Sequence, residues 1–164
     1  MNNNDGVTVS ARTICTDPFH FLAFGFGAGL MDKAPGTAGS VVGVLFGWLA
    51  LGLGMPWRIV IAGALIISGI WICGESAKRI GVNDYGGIVW DEITGMYITL
   101  LALPQELTIW VAGFALFRLF DIWKPWPIRD VERNVKGGAG IMADDILASI
   151  YTVLLLFILG VVIG

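Results

Sequence analysis

Two long stretches without any charged residue restrict the possible folds of this chain more than any other feature of its sequence. Residues 34–57 carry no charge, and neither do residues 146–164. A helix needs about 20 predominantly apolar residues to cross the hydrocarbon core of a bilayer. Both stretches reach that length, so the sequence predicts an integral membrane protein.

Charged residues are also scarce in the chain as a whole. They make up 14% of its 164 residues, whereas a soluble domain carries about 25%. The chain has 23 glycines and seven tryptophans. Glycine permits close packing of membrane helices, and tryptophan favours the bilayer interface. We therefore predict an all-α fold, a polytopic membrane helical bundle.

Three further apolar stretches reach the length of a membrane span once their flanking charges are included. With them, we predict about five transmembrane helices, at 38–55, 57–75, 88–104, 107–124 and 143–163. Residues 18–30 are apolar but too short to cross, and they are predicted to form an interfacial or re-entrant segment. Residues 1–17 are interpreted as a polar N-terminal tail, and 18–164 as a single membrane-embedded domain.

The distribution of lysine and arginine predicts the orientation of these helices. Five spans place the two termini on opposite sides of the membrane, and Arg58 is then the one basic loop residue on the far side. The side of the N-terminus carries eight basic residues: Arg12, Lys33, Lys78, Arg79, Lys124, Arg129, Arg133 and Lys136. Because cytoplasmic loops carry the excess of basic residues, the N-terminus is predicted to be cytoplasmic and the C-terminus to face outside.

Six charged residues from three predicted spans fall near one membrane boundary: Asp91, Glu92, Arg118, Asp121, Asp144 and Asp145. One interpretation is a packing network of paired charges. The other is a metal site, because the carboxylates outnumber the nearby cations, and oxygen ligands without His or Cys clusters favour Mg²⁺. Since Mg²⁺ usually binds one or two carboxylates together with substrate phosphate oxygens, such a site would perform phosphoryl transfer.

The segment 33–40, Lys-Ala-Pro-Gly-Thr-Ala-Gly-Ser, directly precedes the first predicted span. Thr37 is predicted to be an N-cap, and the small residues around it leave backbone N–H groups open to an anion. A plain capped helix start is the alternative. The candidate substrate-binding residues of this segment are Lys33, Gly36, Thr37 and Ser40.

The segment 120–129 contains two tryptophans, two prolines and two basic residues. Pro125 is expected to end the fourth span near Lys124. Lys124 and Arg129 then lie at the depth of lipid phosphates, with the tryptophans in the headgroup layer. The segment is predicted either to anchor anionic lipids or to bind one specific phosphate group.

Taken in series, these segments resemble the phosphatidylglycerophosphatase A family of bacterial membrane phosphatases. The matching blocks are 24–30, 35–40, 88–92, 120–129 and 138–145, within a resemblance that covers about residues 18–163. The Trp-Asp-Glu, Asp-x-Trp-Lys-Pro-Trp-Pro and Met-x-Asp-Asp blocks are very specific as a series. His20 also falls where the family tends to carry a histidine.

The resemblance implies an enzyme of the bacterial cytoplasmic membrane that removes the terminal phosphate of phosphatidylglycerophosphate with Mg²⁺, giving phosphatidylglycerol. Residues 18–164 would then be one catalytic domain whose partner is an anionic phospholipid in the bilayer, not nucleic acid, and the oligomeric state is left open. The expected metal ligands are Asp91, Glu92, Asp144 and Asp145. The expected catalytic residues are Asp121, Lys124, Arg118 and His20, with Arg129 at the rim.

One run departs from the family pattern, because Asn83-Asp84-Tyr85 stands where the family often has His-Asp-His. Two alternatives stay open. One is a non-enzymatic bundle that conducts ions or protons through the same carboxylates. The other is a phosphatase for a different anionic lipid phosphate. The outer halves of the predicted spans are almost free of polar groups, which favours a one-sided site over a conduction path.

Overall fold

The computed structural model of the chain describes residues 9–82 and 85–163, and every regular element in these ranges is helical. The predicted all-α fold is confirmed. The α-helices of the described residues are α1 (Ala11–Thr16), α2 (Pro18–Ala23), α3 (Pro35–Leu49), α4 (Met55–Ile80), α5 (Trp90–Ala102), α6 (Leu107–Trp123), α7 (Ile128–Asn134) and α8 (Gly138–Ile163). Two 3₁₀ segments, Gly25–Leu30 and Ala50–Gly52, complete the fold.

Three helical segments are long and apolar enough to cross a membrane, namely Pro35–Gly52, Met55–Ile80 and Gly138–Gly160. Their exposed side chains include large apolar ones such as Trp57 and Ile67, which suit lipid better than water. By contrast, α5 has 13 residues and α6 has 17. At about 1.5 Å per residue, both are shorter than a hydrocarbon core of about 30 Å. Of the five predicted spans, three are supported in this way and the full number is not confirmed.

The short helix α5 lies at the centre of the bundle, where it packs against α3, α4, α6 and α8. Nine of its 13 residues are buried. Its buried hydroxyls are satisfied within the helix, because Thr94 donates to the carbonyl of Trp90 and Thr99 donates to that of Gly95. Protein therefore surrounds the polar residues of α5 and shields them from lipid.

Glycines on one face of α3 allow this helix to approach α5 closely. Gly39, Gly43 and Gly47 are spaced four residues apart, so they share a face. A Cβ atom at Gly43 would lie 2.7 Å from the carbonyl oxygen of Ile93, and one at Gly39 would lie 2.7 Å from the Cβ of Val89. The close approach places the start of α3 beside the start of α5, where the acidic residues lie.

The predicted interfacial segment consists of α2 and the 3₁₀ segment that follows it. Asp17 caps α2 by accepting a hydrogen bond from the N–H of Phe19 at 2.9 Å, and its other oxygen pairs with Arg79 of α4 at 2.6 Å. Upstream, Ile14 of α1 is buried in the hydrophobic core. Residues 1–8 of the predicted tail lie outside the described residues. The division into a tail and one domain stays a prediction.

Candidate active site

Three carboxylates from two helices meet inside the bundle. Asp91 and Glu92 lie in the first turn of α5, and Asp145 lies near the start of α8. One oxygen atom of each lies within 4.8 Å of the other two. Asp91 is 8% exposed and Asp145 is 2% exposed. We refer to these three residues as the carboxylate group.

Each member of the carboxylate group has one buried oxygen without a hydrogen-bond donor. These atoms are Oδ1 of Asp91, Oε2 of Glu92 and Oδ1 of Asp145. Ionised carboxylates at this separation repel one another, and a buried charge is costly unless it is paired. A divalent cation would bind such oxygens directly, and carboxylate oxygens are the ligands that Mg²⁺ accepts. The residues present therefore fit a hard divalent metal ion.

Arg118 of α6 compensates part of this negative charge. Its Nη1 pairs with Asp121 one turn later and lies 3.8 Å from Oε1 of Glu92. The same atom donates to Oγ of Ser40 at 3.4 Å. The Nε of Arg118 is buried and has no partner. A guanidinium donor therefore remains available to an anion beside the carboxylate group.

Gly36 brings the first turn of α3 into direct contact with this charge cluster. A Cβ atom at Gly36 would collide with Oε1 of Glu92 and would lie 3.0 Å from Nη2 of Arg118. The carbonyl of Gly36 also accepts a hydrogen bond from Ser40 at 2.9 Å. Only a residue without a side chain fits here, so the backbone of α3 forms one wall of the site.

The helix α3 begins earlier than the sequence pattern indicated. Pro35 is its first residue and Ala34 is the N-cap, in the left-handed region with φ 54°. The prediction of Thr37 as N-cap is wrong, because the fixed φ of proline favours the first helical position. The N–H of Thr37 donates to the carbonyl of Ala34 at 3.0 Å. The N–H of Gly36, in the first turn, is left for an anion.

Lys124 terminates α6 in a left-handed conformation with φ 48°, and Pro125 follows it, as predicted. Its Nζ lies 2.6 Å from Oδ2 of Asp144 and 2.7 Å from Oε1 of Glu132. The two carboxylates therefore compensate the positive charge of this partly buried amine.

Asp144 lies outside the carboxylate group, although it was predicted as a fourth metal ligand. Besides its ion pair with Lys124, it accepts a hydrogen bond from the N–H of Asp145 at 3.0 Å. Asp144 thus connects Lys124 to the neighbouring Asp145. Its role as a metal ligand stays a prediction.

The remaining predicted site residues make contacts elsewhere or lie on the surface. His20 is 5% exposed, and its Nδ1 lies 2.8 Å from Oγ of Ser76 on α4. Lys33 is exposed. Arg129 is also exposed, and its Nη2 donates to the carbonyl of Trp123 at 3.3 Å. Of the run 83–85, in which Asn83 and Tyr85 replace the histidines of the resembled family, residues 83 and 84 lie outside the described residues.

The sequence analysis missed Glu132, whose Oε1 accepts a hydrogen bond from Nζ of Lys124 at 2.7 Å. Glu132 belongs to α7 and reaches back across eight residues. The turn at Pro125 and Pro127 separates the two side chains, so no helical spacing rule connects them. The available signal was an acid shortly after the turn with two prolines, and it is weak because Asp130 fits it equally well.

Fold and site together define a helical membrane protein with a buried carboxylate group and adjacent cations. The family model of phosphatidylglycerophosphatase A matches residues 21–160 of the chain. The phosphatidylglycerophosphatase A of Escherichia coli is 47% identical over 155 residues, which cover 92% of this chain and 88% of the relative. That of Haemophilus influenzae is 44% identical over 143 residues, covering 86% of this chain and 88% of the relative.

The chain therefore belongs to the phosphatidylglycerophosphatase A family, and it is a phosphatase rather than a conducting bundle. A relative from Bacteroides thetaiotaomicron is 40% identical over 152 residues, covering 87% of this chain and 94% of the relative, and its name suggests a phosphatidylinositol-3-phosphatase. No solved structure matches the chain.

Proposed function

We propose that this chain hydrolyses the terminal phosphate of phosphatidylglycerophosphate, with Mg²⁺, at the cytoplasmic face of the bacterial inner membrane. Membership of the family supports the reaction. The observation that carries the metal dependence is the set of three buried carboxylate oxygens without donors. Asp91, Glu92 and Asp145 would hold the ion, which when bound supplies Lewis-acid stabilisation of phosphoryl oxygens.

The side chains around the carboxylate group are suited to bind a phosphate monoester dianion. Catalysis of phosphoryl transfer consists mostly of positioning and charge stabilisation. Arg118 offers its unpartnered Nε, and Gly36 in the first turn of α3 offers an N–H group that has no intrahelical acceptor. Lys124 adds a permanent cation. Asp121, oriented by Arg118, accepts a hydrogen bond from the attacking water and aligns it with the phosphorus.

Three other predicted site residues, which lie outside the carboxylate group, also have roles in this proposal. Ser40 is a positioning residue, because it touches Arg118 and the carbonyl of Gly36 rather than the reacting phosphate. His20 and Lys33 keep their predicted roles, in catalysis and substrate binding respectively.

We retain the arrangement of five spans with the N-terminus in the cytoplasm and the C-terminus outside. The eight-to-one distribution of basic loop residues supports it. The short helices α5 and α6 would cross together with their flanking residues, packed between the longer α3, α4 and α8. This orientation puts the carboxylate group near the cytoplasmic boundary.

A phosphate-release assay tests the proposal directly. Purified protein in detergent should release phosphate from phosphatidylglycerophosphate, lose this activity in EDTA and regain it with Mg²⁺. Undiminished turnover in EDTA would exclude the metal. The substrate panel should include phosphatidylinositol 3-phosphate, because one relative is named for that headgroup. Faster release from this lipid would assign the chain to the other substrate.

A further inference from the structure

A cavity of about 450 Å³ lies between the end of α6 and α7, with Lys124 in its wall. Arg129 and Arg133 also line it. They are four residues apart on α7 and share a face of the helix. Neither arginine forms an ion pair within residues 9–82 and 85–163. Against these two arginines the described lining residues include one acid, Asp130, so the cavity has an excess of positive charge even though Lys124 is already paired with Asp144 and Glu132.

The basic cavity adjoins the carboxylate group through Lys124. The Nζ of Lys124 contacts Oδ2 of Asp144 at 2.6 Å, and the next residue, Asp145, is a member of the carboxylate group. An anion in the cavity and a phosphate at the carboxylate group would therefore occupy neighbouring positions on either side of one lysine.

The substrate of the proposed function carries two phosphates of different kinds. The terminal one is a monoester, which is hydrolysed. The other is a phosphodiester, which joins the headgroup glycerol to diacylglycerol. One glycerol unit separates them, so a site for the first phosphate requires a neighbouring position for the second.

We infer that the basic cavity binds the phosphodiester of the substrate, while the carboxylate group takes the terminal monoester. This inference rests on the proposed function and adds a basis for selectivity, because a lipid with a single phosphate cannot fill both positions. Guanidinium groups suit the task, since they bind phosphate oxygens in a bidentate fork.

The walls of the cavity suit a phosphate attached to a membrane lipid. Trp123 is 60% exposed and Trp126 is 77% exposed, and tryptophan favours the headgroup layer of a bilayer. Arg129 is held to the wall by its hydrogen bond to the carbonyl of Trp123 at 3.3 Å. Arg133 is exposed and lies on the same face of α7 as Arg129, so both guanidinium groups can contact one phosphodiester.

Inhibition by the lipid product and by inorganic phosphate can be measured separately, and the two constants distinguish the basic cavity from the carboxylate group. Phosphatidylglycerol carries the phosphodiester alone, and inorganic phosphate resembles the leaving monoester. In neutral detergent micelles, Arg133→Gln should raise both the inhibition constant of phosphatidylglycerol and the KM for phosphatidylglycerophosphate. An increase of about tenfold is expected, because one charge-assisted contact is lost. The inhibition constant of phosphate and kcat should stay unchanged. Asp130→Asn should strengthen inhibition by phosphatidylglycerol.

The control is Lys136→Gln, which removes an exposed cation that does not line the cavity and should change none of these constants. Equal weakening by Lys136→Gln would assign the effect to general attraction of anionic lipid and would overturn the inference. So would equal weakening of both inhibitors by Arg133→Gln, or phosphatidylglycerol that fails to inhibit the wild type. Absence of any turnover of phosphatidylglycerophosphate would instead overturn the proposed function.

Discussion

At the scale of single residues, a metal site and a network of paired charges respond differently when one acid is neutralised. In a paired network, the loss of one partner strands a buried charge at a cost of about 3–5 kcal/mol. In the carboxylate group, Asp91, Glu92 and Asp145 each have an oxygen without a donor. Removing one of these charges relieves repulsion when no cation is bound.

Asp91→Asn and Asp145→Asn should each lower turnover by about 100-fold or more, because a lost charged ligand costs about 3–4 kcal/mol in the transition state. Without metal, the Tm of both variants should equal or exceed that of the wild type, and stabilisation by Mg²⁺ should shrink. Thermal unfolding in detergent with and without Mg²⁺ measures this. The matched control is Glu106→Gln, an exposed acid before α6, which should change neither property.

Asp121→Asn provides an internal contrast to these two variants. Asp121 pairs with Arg118, so its neutralisation leaves a largely buried guanidinium with weaker compensation, and the Tm without metal should fall. A uniform fall of Tm in all three variants, with no stabilisation of the wild type by Mg²⁺, would show that the carboxylate group is structural.

At the scale of elements, the contact between α3 and α5 determines whether the site can form. Gly43→Ala would place a Cβ atom 2.7 Å from the carbonyl oxygen of Ile93 and 2.8 Å from the Cβ of Met96. Overpacking of this kind costs about 1–3 kcal/mol. It also moves the first turn of α3 away from Glu92, so we expect both Tm and kcat to fall.

The control for this change is Gly63→Ala in α4, where a new Cβ would meet nothing within 4 Å. This variant should be neutral or more stable by up to about 1 kcal/mol, because alanine has the higher helix propensity. Equal losses in Gly43→Ala and Gly63→Ala, measured by thermal unfolding and phosphate release, would contradict the close approach of α3 to α5.

The elements also show which features the sequence can predict. Uncharged stretches alone predict α3 and α8, and α4 is predicted once its flanking charges are included. The ends of α5 were not, because Val89 and Leu103 are apolar and yet extended or irregular. Tertiary contacts end this helix. For example, the N–H of Val89 donates to the carbonyl of Ala23 at 2.8 Å. Such contacts cannot be predicted from the apolar composition of the segment.

For the site, the sequence predicts the types of residue that take part but not the contacts between them. Charged residues at one predicted depth predicted a cluster of five carboxylates, because burial of charge is costly wherever it occurs, and the structure brings three of them into the carboxylate group and pairs Asp121 and Asp144 with cations. The contact of Gly36 with Glu92 and that of Lys124 with Glu132 depend on how the chain turns between helices. Such turns are set by local backbone conformations, including the left-handed Ala34 and Lys124, which the residue types there do not favour.

At the scale of the whole molecule, the orientation in the membrane can be measured with single cysteines. Cys15 and Cys73 are first replaced by serine, and one cysteine is then introduced at Lys136 or at Gln105, both exposed. Lys136→Cys should react with an impermeant maleimide from the cytoplasmic side only, and Gln105→Cys from the outside only. Five spans and the positive-inside distribution require this result. Reaction of both from one side would contradict it.

The origin of the carboxylate group in two distant helices determines when during synthesis the enzyme becomes competent. Asp91 and Glu92 are synthesised with α5, whereas Asp145 follows with α8, after α6 and α7 have been translated. A nascent chain that has exposed only its first five helices carries two acids at the interface and no complete ligand set. With the metal site proposed above, activity would begin only once α8 is in place, and a ribosome-bound fragment without α8 should not act on membrane lipid.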